Sequence, residues 1–298
     1  MQLPRFNPPV LLAAGTAGTL DETAGVLDLA AIGGLVTKSI TAEPRVGNDP
    51  WRVAPVKAGM LNAIGLANPG LEAFLTEHAP RIPSVPTAVV GSVAGFAIEQ
   101  YASVCRAFET IEAMPAVELN VSCPNTDHGT EFGTDPALLA ELVSACRSEL
   151  ASTALIVKMP PVAIGTPHTI VDLARAAVDA GADALTLCNT VPAMSIDVDT
   201  GEPALGNRSG GLSGPAVHPV VTRLIDRCAR ELCGPRGVPI LGLGGVMDWR
   251  DAAEFMLAGA SAVQVGTASF VSPKRVIRIA KRLERWRRSR AAGDRPGS

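Results

Sequence analysis

The chain has 298 residues, of which 47% are hydrophobic and 4% aromatic, and a formal net charge of −3 at pH 7. It is long enough to bury a large core, and its small net charge and few aromatic side chains argue against a nucleic-acid-binding protein. The six cysteines form no C-x-x-C pair or zinc-ligand spacing, which suits a reducing compartment. The first 15 residues show no long apolar stretch behind a basic one, and no run reaches about 18 apolar residues, so we expect a cytoplasmic protein without a membrane span.

Short apolar runs alternate with helical patterns along the whole chain. The runs predict strands covered on both faces, and they are Val10–Ala14, Leu35–Thr37, Thr87–Gly91, Val117–Val121, Ala154–Met159, Ala184–Cys188, Pro239–Leu243 and Ala262–Val265. The predicted helices are Leu20–Ala31, Pro69–His78, Ala97–Ala113, one that begins at Asp135-Pro136, Thr169–Ala180, Pro215–Cys233, Asp248–Leu257 and Pro273–Arg288. This alternation predicts a single (β/α)8 TIM barrel over residues 1–298, with a doubly wound open sheet as the alternative.

Two longer stretches interrupt the regular spacing, one from Ser39 to Asn68 and one from Asn189 to Gly214. In a barrel both would rise over the C-terminal face, where such insertions form substrate pockets. The last helix, about 273–290, is rich in arginine and lysine. We interpret it as a solvated amphipathic helix rather than a basic binding patch, and residues 291–298 as a flexible tail.

The stretch ELNVSCPNTDHGTEFG, residues 118–133, carries the most distinctive chemistry. Its predicted strand delivers Asn120 and Cys123 to its C-terminal end, and Asn125 follows at once. A thiol among carboxamides at a strand end is a candidate base or nucleophile, whereas the alternative is a buried, inert cysteine. His128 lies in the same loop, and we interpret it as a solvent-facing residue.

Other strand ends add positive charge, amides and glycines. Lys38 and Lys158 end two apolar strands, and the amides are Asn62, Asn120, Asn125 and Asn189. Together they predict a polar, cationic cavity that suits a planar anion. Glycine-rich ends after the last two strands, together with Gly210–Gly214, suggest a phosphate site, although tight turns alone would explain them. We find no acidic metal cluster and no Ser-His-Asp set, so a flavin enzyme is favoured over a hydrolase.

These residues carry a family resemblance. The chain resembles class 1 dihydroorotate dehydrogenases in segments that follow one another in the family's order. They are AAGTAG (around 14–18), LVTKSITAEPRVGN (35–48), AGMLNAIGLANPG (58–70), ELNVSCPN (118–125), EFGTDP (131–136), IVKMP (156–160), GADALTLCNT (181–190), GGLSGPA (210–216), GLGGV (242–246) and AGASAVQVGTA (258–268). The resemblance implies a (β/α)8 barrel with FMN at the C-terminal face and oxidation of (S)-dihydroorotate to orotate in pyrimidine biosynthesis.

The resemblance also assigns roles to residues. Cys123 corresponds to the catalytic base, and no metal is implied. The positions that match substrate contacts are Lys38, Asn62, Ala63, Ile64, Gly65, Leu66, Asn120, Asn125, Asn189 and Thr190. The positions that match FMN contacts are Ala14, Gly15, Lys38, Ser39, Ser92, Asn120, Lys158, Cys188, Gly214, Gly244, Gly245, Gly266 and Thr267.

The segments LNAIGLANPG and FGTDP look most like subtype 1B. That subtype implies an FAD and iron–sulfur electron-transfer subunit as partner, and class 1 relatives imply a homodimer. Ser92 stands where the subtype usually has Asn. Ser can also form hydrogen bonds but has a shorter reach, so this difference could change the tuning of the flavin or the electron acceptor. Two alternatives remain open from the residues, namely an FMN oxidoreductase for another dihydropyrimidine or cyclic amide, and a non-catalytic barrel that binds a phosphate ligand.

Overall fold

The structure, a computed structural model, describes residues 2–121, 132–161 and 167–292. Its strands are β1 (Val10–Leu12), β2 (Gly34–Val36), β3 (Val53–Val56), β4 (Gly59–Asn62), β5 (Ala88–Val93), β6 (Ala116–Asn120), β7 (Ala154–Lys158), β8 (Ala184–Leu187), β9 (Val191–Ala193), β10 (Gly210–Ser213), β11 (Ile240–Leu243) and β12 (Ala262–Val265). Eight of them form a closed barrel in the order β1-β12-β11-β8-β7-β6-β5-β2. All neighbouring pairs in this barrel are parallel. The predicted barrel is therefore confirmed, and the open sheet is wrong.

Helices surround the barrel on the outside. They are α1 (Leu71–Ala73), α2 (Ile98–Glu109), α3 (Pro136–Ser148), α4 (Ile170–Asp179), α5 (His218–Cys228), α6 (Gly234–Arg236), α7 (Trp249–Leu257), α8 (Thr267–Val271) and α9 (Pro273–Ala291). Short 3-10 turns lie at Glu22–Gly25, Leu29–Ala31, Ala79–Ser84, Phe132–Thr134 and Pro215–Val217, and π-helical turns at Phe74–His78 and Ala229–Cys233. Several helix starts follow from their caps. Asp135, for example, accepts hydrogen bonds from the N–H groups of Ala137 and Leu138.

One predicted helix is wrong. Leu20–Ala31 forms two separate 3-10 turns, Glu22–Gly25 and Leu29–Ala31. Gly25 ends the first turn and is a poor helix former. The Asp28 carboxylate accepts a hydrogen bond from the Ala30 N–H and so caps a second turn instead of continuing the first.

Alternation along the strands divides the core into two parts. Residues pointing inward fill the barrel, and this inner cluster includes Leu11, Val36, Val90, Ala116, Ile156 and Leu241. Residues pointing outward pack against the helices in a larger cluster. A barrel packed in this way has no channel, so ligands are confined to its open C-terminal end. Among the described residues, no helix is long and apolar enough to cross a membrane.

A second sheet lies over that end. The two insertions pair with each other in an antiparallel sheet of four strands in the order β3-β4-β10-β9. The register sets Gly211 opposite Asn62. The sheet has its own small core, which contains Ala54, Leu61, Ala63 and Leu205. The sequence predicted where the insertions lie but not that they form strands.

Candidate functional site

A cavity of about 270 Å³ opens at the C-terminal ends of the barrel strands. Its lining comes mostly from strand ends, and Met60 and Leu212 of the second sheet also contribute to it. The predicted site residues that line it are Ala14, Gly15, Lys38, Ser39, Asn62, Ile64, Leu66, Asn120, Lys158, Cys188, Asn189, Thr190, Gly244, Gly245, Gly266 and Thr267. Residues more than 250 positions apart in sequence therefore meet in one pocket, which is the usual location of a barrel's active site.

Two carboxamides in the cavity hold each other in place. Asn189 Nδ2 donates to Asn120 Oδ1 at 3.1 Å, and Asn120 Nδ2 donates to the Ser39 hydroxyl at 3.4 Å. The Thr190 N–H donates to Asn189 Oδ1 at 2.8 Å, and the Tyr101 hydroxyl donates to the backbone carbonyl oxygen of Asn120 at 2.8 Å. The bonds to the side-chain amides decide which end of each amide is donor and which is acceptor. The pair is thus oriented before any ligand arrives.

Lys158 places a buried positive charge at the cavity. The residue ends β7, is only 6% exposed, and lines the pocket. Its ammonium has no hydrogen-bond or ion-pair partner among the residues that the structure describes. Because a buried ammonium is costly unless an anion or acceptor compensates it, the site is built for a ligand that supplies one. Lys38 adds a second cation to the cavity lining, where its side chain packs beside Gly15.

Glycines shape the end of the cavity formed by β11 and β12. At Gly245, where φ is +74°, an added Cβ would lie 2.7 Å from the Cβ of His218 and 2.8 Å from the Gly214 carbonyl oxygen. At Gly266 an added Cβ would meet nothing closer than Ala13, at 3.8 Å, and so would project into open space. Packing and a positive φ therefore require glycine at position 245, whereas the missing side chain at Gly266 lets a ligand approach the backbone closely.

Cys188 also lines the cavity, but it is not a base. Burial raises the pKa of its thiol to about 12, and the nearby Lys158 ammonium offsets only part of that effect. The thiol is therefore protonated at neutral pH. The predicted base Cys123 and the predicted substrate contact Asn125 lie outside the described residues, as does His128.

The dihydroorotate dehydrogenase family model matches residues 3–286. The chain belongs to the dihydroorotate dehydrogenase family. It is 43% identical to a protein of Trichlorobacter lovleyi named dihydroorotate dehydrogenase B (NAD(+)), catalytic subunit, over 97% of this chain and 93% of that protein. A protein of Pelobacter propionicus with the same name is 44% identical over 93% of this chain and 89% of its own length.

A third relative, from Solibacter usitatus, is named putative dihydroorotate dehydrogenase A (fumarate), and it is 44% identical over 93% of this chain and 89% of its own length. Membership of the dihydroorotate dehydrogenase family makes this chain an oxidoreductase and implies a flavin cofactor.

Four residues matched to dihydroorotate dehydrogenase contacts do not line the cavity. Ala63 is buried in the core of the second sheet. Gly65 and Gly214 are turn glycines with φ of +71° and +97°. Ser92 is fully buried behind Ser39, with the two hydroxyl oxygens 2.8 Å apart. Their contacts with ligand remain predictions.

The sequence reasoning missed other residues of the cavity. They are Ala13, Thr16, Val53, Met60, Leu212, Ser213, Val217, Leu243, Val246, Met247, Gln264 and Phe270. Gln264 could have been found, because it is a polar residue within the otherwise apolar predicted strand Ala262–Val265, and a buried polar side chain needs polar partners. Met60 and Leu212 could not, because their inward position depends on a pairing between two distant insertions.

Proposed function

We propose that this member of the dihydroorotate dehydrogenase family oxidises (S)-dihydroorotate to orotate with FMN, in pyrimidine biosynthesis. The observation that carries the proposal is the buried Lys158 ammonium beside the oriented Asn120–Asn189 pair, in one cavity at the barrel mouth. A cation and amides with defined donor and acceptor ends suit a flavin ring and a cyclic substrate that carries amide groups and a carboxylate.

The residues present fit FMN. Lys158 would lie against the flavin ring, where an ammonium stabilises negative charge, and bound FMN would supply the hydride acceptor. Gly244, Gly245, Gly266 and Thr267 would hold the phosphate. The open space over Gly266 supports this assignment, since a side chain there would fill the pocket. The Thr267 hydroxyl donates to Ser213 at 2.8 Å and is thereby fixed at that end.

The substrate would be held by the amides and by Lys38. Asn62, Asn120, Asn189 and Thr190 all line the cavity. Asn62 Nδ2 donates to the Gly211 carbonyl oxygen at 3.2 Å, which ties this contact to the second sheet. Lys38 would neutralise the substrate carboxylate and also face the flavin. Asn125, Ala63 and Gly65 belong to the same proposed set through the resemblance.

The proposed base is Cys123, which removes the proton from C5 of dihydroorotate as the C6 hydride is transferred. Cys188 supports this assignment by exclusion, because it is the cavity-lining cysteine among the described residues and its pKa is about 12. A thiol with an ordinary pKa of about 8.5 is ionised far more readily. The negative charge of a Cys123 thiolate would also be favoured by Lys38 and Lys158.

We further propose that a partner subunit with FAD and an iron–sulfur cluster accepts the electrons and passes them to NAD, and that the catalytic chain forms a homodimer. Support comes from relatives named as B (NAD(+)) catalytic subunits. The relative named for fumarate identifies the competing acceptor. Turnover with fumarate alone, at the rate reached with partner and NAD, would contradict the partner proposal.

Two measurements test the proposed function. Mass spectrometry of the cofactor released from purified protein should give FMN, and a colourless protein that takes up no FMN would favour a non-catalytic barrel. Anaerobic reduction rates should then be compared for dihydroorotate, dihydrouracil and other cyclic amides. If one of the other cyclic amides reduced the flavin faster than dihydroorotate, that compound would be the better candidate substrate. The assignment of the flavin would be unaffected.

A further inference from the structure

A buried carboxyl side chain, that of Glu118, lies in the interior of the barrel below the cavity. The side chain of Glu118 is 0% exposed. Its Oε2 accepts hydrogen bonds from the Thr186 hydroxyl at 2.7 Å and from Gln264 Nε2 at 2.6 Å. Gln264 Nε2 also donates to the Thr186 hydroxyl at 3.2 Å. Because β6, β8 and β12 are not neighbours in the barrel, all three side chains must point into its interior.

This network forms the layer directly beneath the cavity. Each member precedes a cavity-lining residue by two positions, and those residues are Asn120, Cys188 and Gly266. Within β6, Glu118 and Asn120 are two residues apart and so point to the same side of the sheet, and Gln264 itself lines the cavity. The arrangement follows the layered interior of a (β/α)8 barrel, in which alternate strands supply one layer. Whatever charge the layer holds therefore acts on a ligand above it through little solvent.

The network also lies beside the buried cation of the site. Glu118 and Lys158 are the only Asp, Glu, Lys or Arg residues buried in the part of the chain that the structure describes. Lys158 pairs in register with Thr186 on one neighbouring strand and with Asn120 on the other. Thr186 thus stands next to Lys158 and donates to Glu118. The two charges form no direct ion pair, but in a water-poor interior they interact over a longer distance.

We propose that Glu118 is a positioning residue that sets the electrostatic balance of the flavin site. Its carboxylate offsets part of the Lys158 charge and fixes the Gln264 amide in the cavity floor. The inference rests on the proposed function, since it requires FMN in the cavity. Reduction adds negative charge to a bound flavin, which Lys158 favours and Glu118 opposes. Glu118 therefore keeps the midpoint potential of the flavin lower than Lys158 alone would set it.

Glu118→Gln removes the charge while preserving the network. The new amide oxygen accepts from both Thr186 and Gln264 as Oε2 does. The new amide nitrogen takes the place of Glu118 Oε1, which has no partner among the described residues. Gln264 Oε1 is also buried without a described partner, so it is an available acceptor for that nitrogen. A purely structural role of Glu118 would therefore be retained in this variant, and only an electrostatic role would be lost.

The test is the midpoint potential of FMN in the reconstituted full-length protein. At a fixed solution potential, Glu118→Gln should raise the ratio of reduced to oxidised flavin about tenfold, equal to about 30 mV for a two-electron couple. The control is Glu141→Gln, which removes the same charge from the exposed surface of α3 and should leave the potential unchanged. An unchanged or lowered potential in folded, FMN-loaded Glu118→Gln overturns the inference.

A second variant keeps the inference testable if Glu118→Gln does not fold. Thr186→Val retains both charges but removes the hydroxyl that donates to the carboxylate. With the carboxylate less screened, the ratio of reduced to oxidised flavin should fall several-fold, and an unchanged ratio overturns the inference. Wild-type protein that binds no FMN refutes the proposed function itself, which separates that failure from a failure of the role of Glu118.

Discussion

Replacing Lys158 by Met would remove the buried charge while keeping the length of the side chain. The residue is 6% exposed and has no partner among the described residues, so its interactions are available to the ligand. A hydrogen bond from a charged group contributes about 1.5–3 kcal/mol, which predicts FMN binding weakened by about 10- to 100-fold. Its attraction for the added charge of reduced flavin is about 4 kcal/mol at about 4 Å and an effective dielectric constant of about 20.

The two effects can be measured separately. Fluorescence titration of the apoprotein gives the dissociation constant of FMN, and the midpoint potential should fall by about 90 mV, since about 1.4 kcal/mol corresponds to about 30 mV for two electrons. Lys281→Met removes a charge from the exposed face of α9 and serves as control. Wild-type affinity and potential in a correctly folded Lys158→Met protein would refute the assignment of this lysine to the flavin.

Three further outcomes are expected. Cys123→Ala and Cys123→Ser should slow flavin reduction by dihydroorotate at least about 100-fold at pH 7, with the Ser variant recovering as pH rises; wild-type stopped-flow rates in either would exclude the thiol as base. Cys188, whose pKa burial raises to about 12, should resist iodoacetamide at pH 8 by mass spectrometry, and rapid labelling would contradict its burial. Although burial opposes it, hydrogen bonds from Thr153 and Ser152 lower the pKa of Glu109 to about 2. Because the pKa of Glu109 is lower in the folded than in the unfolded state, Glu109→Gln should lower the free energy of unfolding in urea at pH 7 by about 1 kcal/mol, after allowance for solvent screening. This loss should vanish as pH falls from about 4.5 to 2. An equal loss at pH 7 and at pH 2 would contradict the lowered pKa.

The barrel could be predicted because its signals are local. Runs such as Val10–Ala14 and Pro239–Leu243 are apolar on both faces, which only strands buried on both sides require. Once parallel strands close, their C-terminal ends must share one face, so Lys158 and Asn189 could be expected in one site. Both residues do line the cavity. Predicting this required only the direction of the strands and no knowledge of side-chain packing.

Other features depend on contacts that the sequence does not encode locally. The second sheet exists because β4 pairs with β10, and its residues are set far apart along the chain. The Glu118 network likewise joins three strands across the barrel interior, and Glu118 within an apolar run gives no sign of its partners. The helix predicted at Leu20–Ala31 was wrong for a local reason, because Gly25 and the Asp28 cap outweighed an apparent helical pattern.

The proposed oxidation of dihydroorotate is best tested by anaerobic titration of the purified, FMN-loaded protein with (S)-dihydroorotate. We expect the visible flavin absorbance to bleach fully, with one orotate formed for each flavin reduced. Dihydrouracil, which lacks the carboxylate, should reduce the flavin much more slowly. A flavin that stays oxidised in excess dihydroorotate would contradict the proposed function.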